Sequence, residues 1–353
     1  MTLRNIILTG IALIASMGCK DEFISPYKAP PTGYLVVEGY ISGNTRTRFA
    51  LSRTVSLPGD STPPPEKGAK VQVEGSDNSI WPLPEGSAGV YSDSFTLNPQ
   101  LQYRLRIRTS KGETYLSDFA PFKITPPIDS ISWTNGSNGV VIYANTHDPA
   151  NATRYYQWNW DQAYEYASGE YSEYEYNRSN GGVFFRPDSD QINHCWKYAS
   201  STSILVTTST KLAQDVISLY PIKMIPPNDI QLSILYSILV RQYSLTMDGY
   251  NFLTLMQKNT ESLGSIFDAQ PSQITGNIHS LSHPTEQVIG WVSAGTVTSQ
   301  RIYIGRADVP SNYVFGCEFI DTLLPADTDL RKNFTVEFDP VYGDFVAGRL
   351  IGY

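Results

Sequence analysis

At residues 102–109 the chain reads Gln102-Tyr103-Arg104-Leu105-Arg106-Ile107-Arg108-Thr109. Arginines alternate with apolar residues, so one face of this segment is charged and the other is apolar. A period of two residues is typical of a β-strand with one face in the core and one in water. Lys111-Gly112 then offers a turn into Thr114-Tyr115-Leu116-Ser117, which predicts an antiparallel partner strand.

Short strand-like segments continue on the N-terminal side of this pair, separated by turns rich in Gly and Pro. They are Tyr34–Ile41, Arg48–Val55, Ala69–Glu74 and Gly89–Phe95. About seven short strands punctuated by turns are typical of an immunoglobulin-like β-sandwich. We therefore predict such a domain over residues 34–125, ending before Pro126-Pro127.

The following part, residues 126–353, is also predicted to be β-rich, as a larger sandwich-like domain. Hairpin patterns cover residues 128–144 and 288–304, and alternation predicts strands over 203–209 and 235–245. The chain as a whole is therefore expected to be mainly β.

One helix is predicted within this second domain. Thr246 is a favourable N-cap residue, and Asp248 suits the positive end of the helix dipole. Gly264 is a typical C-terminal stop signal. These signals predict a helix at about residues 247–263.

Composition excludes several classes of protein. The 353 residues are 41% hydrophobic and 17% charged, which is typical of a folded globular chain and not of a disordered one. The net charge of −8 gives no global basic field. Since nucleic-acid binding relies on such a field, we expect no nucleic-acid partner.

The N-terminus has the features of a bacterial lipoprotein signal peptide, predicted over residues 1–18. Arg4 precedes a short apolar run, residues 6–15, which suits a signal peptide and is too short to span a bilayer. Ala15-Ser16-Met17-Gly18-Cys19 resembles the lipobox, which predicts that Cys19 carries the lipid anchor. The alternative is an ordinary secretory signal followed by a chance cysteine.

The residues after Cys19 predict where the protein is displayed. Lys20-Asp21-Glu22 looks like the acidic signal that sends lipoproteins to the outer face of the outer membrane, although a solvated charged linker is the alternative. Residues 19–33 contain several prolines and are predicted to form an extended tether. We expect a lipid-anchored outer-membrane protein that faces the cell exterior.

Two further cysteines, Cys195 and Cys317, are candidates for one disulfide, because disulfides persist outside the cytoplasm. The competing interpretation is a metal site that uses His194 and Cys195 with His279 or His283. Adjacent residues on a strand point to opposite faces, which argues against it. We expect neither a metal nor another cofactor.

A tyrosine-rich, acidic segment at residues 164–182 is the candidate binding site for a partner or ligand. Tyrosine supplies a large contact area at small entropic cost, so an exposed segment of this kind could bind a partner or stack on sugar rings. The alternative is a hairpin whose tyrosines pack inward. The candidate residues are Tyr164, Tyr166, Tyr171, Tyr174 and Tyr176.

Several segments resemble a known family. The resemblance rests on Leu35-Val36-Val37-Glu38-Gly39, Gly112-Glu113-Thr114-Tyr115, Cys195-Trp196, residues 238–245 and residues 264–278. They are similar to landmarks of an outer-membrane lipoprotein family of Bacteroidota that is known only as a domain of unknown function. The resemblance implies a TonB-dependent outer-membrane receptor as partner, and an accessory role in nutrient uptake. It supplies no catalytic residue.

Motifs for catalysis are absent from the sequence. We find no nucleophile elbow, phosphate loop or zinc-protease helix, and therefore no catalytic residue is proposed. The leading hypothesis is a non-enzymatic subunit that binds a transporter and could also bind a glycan or peptide cargo. A surface hydrolase acting on glycan or peptide, a free-standing glycan-binding protein and a purely structural envelope protein are the alternatives.

Overall fold

The computed structural model describes residues 33–55, 62–167, 174–177, 182–190, 194–261, 275–309, 321–322, 344–346 and 349–351. Within these residues the protein is mainly β, as predicted. Four sheets and one α-helix, α1, account for most of the ordered elements. Short 3-10 helices lie at Asp188–Asp190, Ile230–Leu232 and Arg306–Asp308.

Twelve strands form the largest sheet, which we call the N-terminal unit. Nine of them precede residue 125: β1 (Leu35–Ser42), β2 (Thr47–Arg53), β3 (Lys70–Gly75), β4 (Ile80–Leu83), β5 (Glu85–Ser87), β6 (Val90–Asp93), β7 (Gln102–Arg108), β8 (Thr114–Ser117) and β9 (Ala120–Lys123). The segment at 102–109 is therefore strand β7, and β8 pairs with it antiparallel, as predicted. Its apolar residues Tyr103, Leu105 and Ile107 are buried in one shared core.

The other three strands of the N-terminal unit come from much later in the chain. They are β19 (Ile278–Ser280), β20 (Val288–Gly290) and β21 (Ala294–Gly295). Strand β19 pairs with β8, β20 with β1, and β21 with both β1 and β9. Strand pairing thus crosses the predicted boundary at Pro126-Pro127, and the immunoglobulin-like topology stays a prediction.

Two further sheets pack face to face and form the C-terminal unit. The three-stranded sheet has the order β10-β11-β17, with β10 at Ile128–Gly136, β11 at Gly139–His147 and β17 at Val216–Ile225. The five-stranded sheet has the order β15-β12-β18-β22, and β16 also pairs with β12. Its strands are β12 (Tyr155–Ala167), β15 (His194–Ser200), β16 (Leu205–Thr208), β18 (Leu235–Ser244) and β22 (Val297–Gly305).

A second core fills the space between these two sheets. Val140, Ile142 and Ala144 of β11 contribute from one side. Trp158 of β12 and Ile238 of β18 contribute from the other. The inner face of the five-stranded sheet is therefore apolar and buried, and its other face is turned away from this core.

The fourth sheet has the order β14-β13-β24-β25-β23. Its strands are β13 (Tyr174–Asn177), β14 (Gly182–Phe185), β23 (Asp321–Thr322), β24 (Asp344–Val346) and β25 (Arg349–Ile351). The helix α1 spans Met247–Glu261 and begins where the sequence predicts. Its first turn is capped as expected, because the Gly249 amide donates to Thr246 Oγ1 at 3.1 Å.

The predicted hairpin over residues 288–304 is wrong. Its two ends belong to different sheets, since β20 pairs with β1 whereas β22 pairs with β18. Gly290, at the end of β20, allows the chain to pack closely against β1 before it leaves this sheet. Its φ is +150°, and a Cβ there would lie 2.4 Å from the Val37 carbonyl oxygen. The chain therefore passes from the N-terminal unit into the C-terminal unit instead of turning back.

A buried polar seam joins the two units at Pro126-Pro127. The Gln242 side-chain amide, fully buried, donates to the Pro126 carbonyl at 2.9 Å and to Thr146 Oγ1 at 3.0 Å. The Trp158 indole N–H donates to the same amide's oxygen at 3.1 Å. Buried hydrogen bonds of this kind require fixed geometry, so they hold the Pro126 carbonyl against the C-terminal unit.

Candidate binding surface

The outer face of the five-stranded sheet is the face turned away from the second core, and it is the candidate functional site. Strand register places its side chains in rows that run across the sheet. One row contains Trp196, Glu165 and Leu235, and the next contains Tyr198, Ala163, Ser237 and Tyr303. Paired residues in antiparallel strands project from the same face, so these rows share one surface.

Three aromatic side chains on the outer face are exposed to solvent. Trp196 is 59%, Tyr198 is 75% and Tyr303 is 62% exposed. Trp196 and Tyr198 are two residues apart on β15, which is about 7 Å along the strand. Tyr198 and Tyr303 are separated by three strand spacings, which together make about 14 Å. Large aromatic residues normally lose most of their exposure on folding, so three on one face suggest a ligand or partner.

Charged and hydroxyl groups lie beside these rings on the same face and are paired with one another. Arg241 Nη2 lies 2.5 Å from Asp161 Oδ2, and the Ser200 hydroxyl donates to Asp161 Oδ1 at 2.7 Å. The Arg301 guanidinium donates to Ser237 Oγ at 2.6 Å. The polar part of the surface is thus organised before anything binds.

These contacts also set the ionisation of Asp161. Burial by itself raises the pKa of this carboxyl, but the hydrogen bonds from Arg241 and Ser200 outweigh burial and hold the pKa below its usual value. Asp161 is therefore ionised at neutral pH and acts as a hydrogen-bond acceptor. A carboxylate of this kind suits binding better than general-acid catalysis, which needs a raised pKa.

A family model described as Domain of unknown function (DUF4249) matches residues 21–301. The chain belongs to the DUF4249 family. Strands β12, β15 and β18 of the candidate surface fall within the matched range, whereas β22 is matched only up to Arg301, so Tyr303 lies beyond it.

Comparisons with curated proteins and with solved structures give no information beyond membership of the DUF4249 family. No curated protein matches the chain. One solved structure, from Corynebacterium diphtheriae and described as a membrane anchored protein, matches with 14% sequence identity and a TM-score of 0.19. The match covers 62% of this chain and 57% of that one, and at this TM-score nothing follows for the DUF4249 chain.

Of the five tyrosines of the predicted site, four lie within the described residues of this DUF4249 chain. Tyr164 is 7% exposed and packs in the second core, where burial raises its pKa. The Tyr166 ring, half-buried, lies 5.9 Å from that of Tyr164. Tyr174 and Tyr176 are on β13, opposite Phe185 and Val183 of β14. Tyr171 lies outside the described residues.

The exposed rings of the candidate surface were missed at the sequence level. Trp196 and Tyr198 lie in the seven-residue strand β15, whose residues are all exposed or half-buried. The strand therefore has no buried apolar face that a sequence pattern could have indicated. Their spacing of two residues was the available signal, because it places both rings on the same face. Tyr303 could not be associated with them before β22 was known to pair with β18.

Of the other residues considered for a site, His194 and Cys195 are on β15, whereas His279 is on β19. Cys195 pairs in register with Tyr166, whereas Cys317 lies outside the described residues, so their disulfide stays a prediction. His194 Nδ1 lies 2.7 Å from Glu165 Oε1, and His279 Nε2 lies 3.3 Å from Asp118 Oδ1 in the other unit. Cys19 and the export signal Lys20-Asp21-Glu22 also lie outside the described residues.

Neither a metal site nor a membrane-crossing helix is found in the described part of the chain. In those ranges no group of three or more His, Cys, Asp or Glu side chains is arranged to hold a metal ion. Among the same residues, no helix combines the length and the apolar character needed to cross a bilayer.

Two cavities of about 240 Å³ each lie beside Trp291, where α1 meets the N-terminal unit. The first has a mixed lining, in which Lys123, Asp118 and Asp248 lie among apolar residues. The second is apolar and lies against Phe252, whose ring is 5.6 Å from that of Trp291. The junction of helix and sheet is therefore incompletely filled, but its charged groups are of both signs and do not indicate one ligand.

Proposed function

We propose that this protein is a non-enzymatic, lipid-anchored subunit on the outer face of the outer membrane, and that it assists a TonB-dependent transporter in capturing nutrients. The observation that carries the proposal is the outer face of the five-stranded sheet, with three exposed aromatic rings among groups that are already paired. Such a surface is suited to binding, because its aromatic rings offer contact area and its polar groups need little reorganisation.

The ionisation of the carboxyl groups supports binding over hydrolysis. A glycosidase needs one carboxylic acid with a raised pKa near a second carboxylate. Among the described residues, the carboxyl groups with a displaced pKa are all displaced downward. Hydrogen bonds lower the pKa of Asp77 and Glu85, backbone hydrogen bonds overcome burial at Asp148, and arginine hydrogen bonds overcome burial at Glu74 and Asp161. These groups are suited to ion pairs and turns.

The beginning of the described chain is suited to a tethered protein. The Gly33 amide donates to the Thr54 carbonyl at 3.0 Å, and the Gly33 carbonyl accepts from Arg53 Nη1 at 3.0 Å. Arg53 in turn contacts Glu66, at 2.6 Å, and Glu286. Gly33, where residues 19–33 would join the fold, is thus held at the end of β2, whose Arg53 also pairs with Glu286 in the segment between β19 and β20.

The experiment is a mild-detergent purification of the full-length lipidated protein from its native outer membrane, followed by mass spectrometry. The Cys19→Ala variant is the matched control, because it keeps the fold and removes the predicted lipid site. We expect a TonB-dependent receptor to be enriched with the wild type over the control. Recovery of the wild type without any enriched receptor would refute the transporter role.

A further inference from the structure

We propose that the outer face of the five-stranded sheet binds a neutral oligosaccharide. The inference rests on the proposed function and specifies the cargo that the subunit would present to its transporter. Its basis is the combination of separated aromatic rings, exposed on one face of the sheet, with hydroxyl, carboxylate and guanidinium groups in the adjoining rows.

The arrangement of the rings suits an extended ligand. Trp196 and Tyr198 lie about 7 Å apart along β15, and Tyr303 lies about 14 Å away across the sheet. Sugar rings have apolar C–H faces that stack on aromatic side chains, and a short oligosaccharide presents several such faces in succession. Three separate platforms therefore match a chain of sugar rings better than one compact small molecule.

The polar groups of the surface suit the edges of sugar rings. Hydroxyl groups both donate and accept hydrogen bonds, and they need partners of both kinds. Asp161 offers carboxylate oxygens as acceptors, whereas Arg241 and Arg301 offer N–H donors. The side chains of Ser200 and Ser237 hold these groups in place, so the surface is arranged before the ligand arrives.

The charge of the surface favours a neutral ligand. Asp161 and Glu165 on β12 are balanced by Arg241 on β18 and Arg301 on β22. A polyanion would require excess positive charge, and a cationic peptide would require excess negative charge. Neither excess is present among these four groups.

The distribution of apolar area argues against a protein partner on this face. The centre of a protein interface is a contiguous, largely apolar patch with few charges. Here the positions between Tyr198 and Tyr303 are Ala163 and Ser237. The adjoining row contains Ser200, Asp161, Leu239 and Arg301, and Arg241 lies one row further on. The apolar contacts are thus divided by polar groups, as a sugar chain requires.

The test is titration of the purified, folded protein with neutral xylo-, manno- and gluco-oligosaccharides of increasing length, with galacturonan and heparin fragments as charged probes. Tryptophan fluorescence and calorimetry provide the readouts. We expect at least one neutral series to bind, with affinity that rises with chain length and with a change in Trp196 emission. Absence of binding by every neutral series, or stronger binding by the charged probes, would overturn the proposal.

Variants locate the site. We expect Trp196→Ala and Tyr303→Ala each to weaken binding by about tenfold, and Trp196→Phe to retain most of it, because a ring is preserved. Ile124→Ala is the control, since Ile124 is 59% exposed in the chain segment before Pro126-Pro127. Equal binding by Trp196→Ala, Tyr303→Ala and Ile124→Ala would show that the outer face is not the site.

The glycan-binding test and the receptor co-purification test can fail independently of each other. Co-purification of the receptor without glycan binding would overturn the ligand assignment and leave the transporter role intact. Glycan binding without any receptor would refute the transporter role and support the assignment of the ligand. Thermal unfolding of each variant shows whether lost binding reflects lost folding.

Discussion

At the residue scale, Glu74 shows how a buried charge is kept in the N-terminal unit. Glu74 is 8% exposed, and its carboxylate accepts hydrogen bonds from Arg104 Nε at 2.8 Å and Arg106 Nε at 2.5 Å. Burial raises the pKa of this carboxyl, but the hydrogen bonds from Arg106, Gln72 and Arg104 outweigh it, so the pKa is lowered. The alternating arginines of strand β7 therefore serve a structural role.

We expect Glu74→Gln to lower the free energy of unfolding by about 1 to 3 kcal/mol at neutral pH, because two arginines lose their carboxylate. A carboxyl with a depressed folded pKa stabilises above its unfolded pKa, about 4.3, and the contribution is lost as the pH falls through the lower folded value. The difference between wild type and variant should thus shrink on acidification. Urea unfolding at neutral and acidic pH measures it, and a difference that grows at low pH would contradict the mechanism.

Gly290 is a second residue whose role follows from local geometry. We expect Gly290→Ala to destabilise the protein by about 2 to 4 kcal/mol, since the new Cβ would meet the Val37 carbonyl at 2.4 Å at a φ of +150°. Gly86→Ala is the control, because a Cβ at Gly86 meets no atom within 4 Å. Urea midpoints of the two variants give the comparison. Similar midpoints would mean that β1 and β20 can separate at little cost.

At the element scale, helix α1 and several strands agree with the sequence patterns. Helix caps and strand alternation depend on neighbouring residues, so they can be recognised without knowing the fold. The error over residues 288–304 has a different origin. Both ends of that segment have strand composition, but their partners, β1 and β18, are distant in the chain.

The seam between elements should be sensitive to loss of its central amide. We expect Gln242→Ala to cost about 2 to 4 kcal/mol, because the Trp158 indole and the Pro126 carbonyl would lose buried partners. Gln102→Ala is the matched control, since Gln102 is exposed on β7. Chemical denaturation should show a large shift only for the first variant. An equal shift for both would mean that the seam contributes no more than an exposed strand position.

At the scale of the whole molecule, the N-terminal unit depends on strands that lie after the helix. We expect a fragment of residues 34–125 to unfold without cooperativity, because it lacks β19, β20 and β21 and leaves the edges of β1 and β8 unpaired. Circular dichroism during heating measures cooperativity. A sharp transition at the temperature of the full chain would show that the predicted domain of residues 34–125 is independent.

The mainly β class, the helix at residue 247 and the strand at 102–108 could all be predicted from the sequence, because each depends on residues that are close in the chain. The candidate surface could not, although the aromatic residues were visible. Tyr164 and Tyr166 belong to the same strand as Asp161, and only the packing of the three-stranded sheet makes one face of that strand a core and the other a surface. Trp196 and Tyr303 become neighbours because β12 and β18 lie between their strands, and such pairing is decided by the packing of the whole molecule.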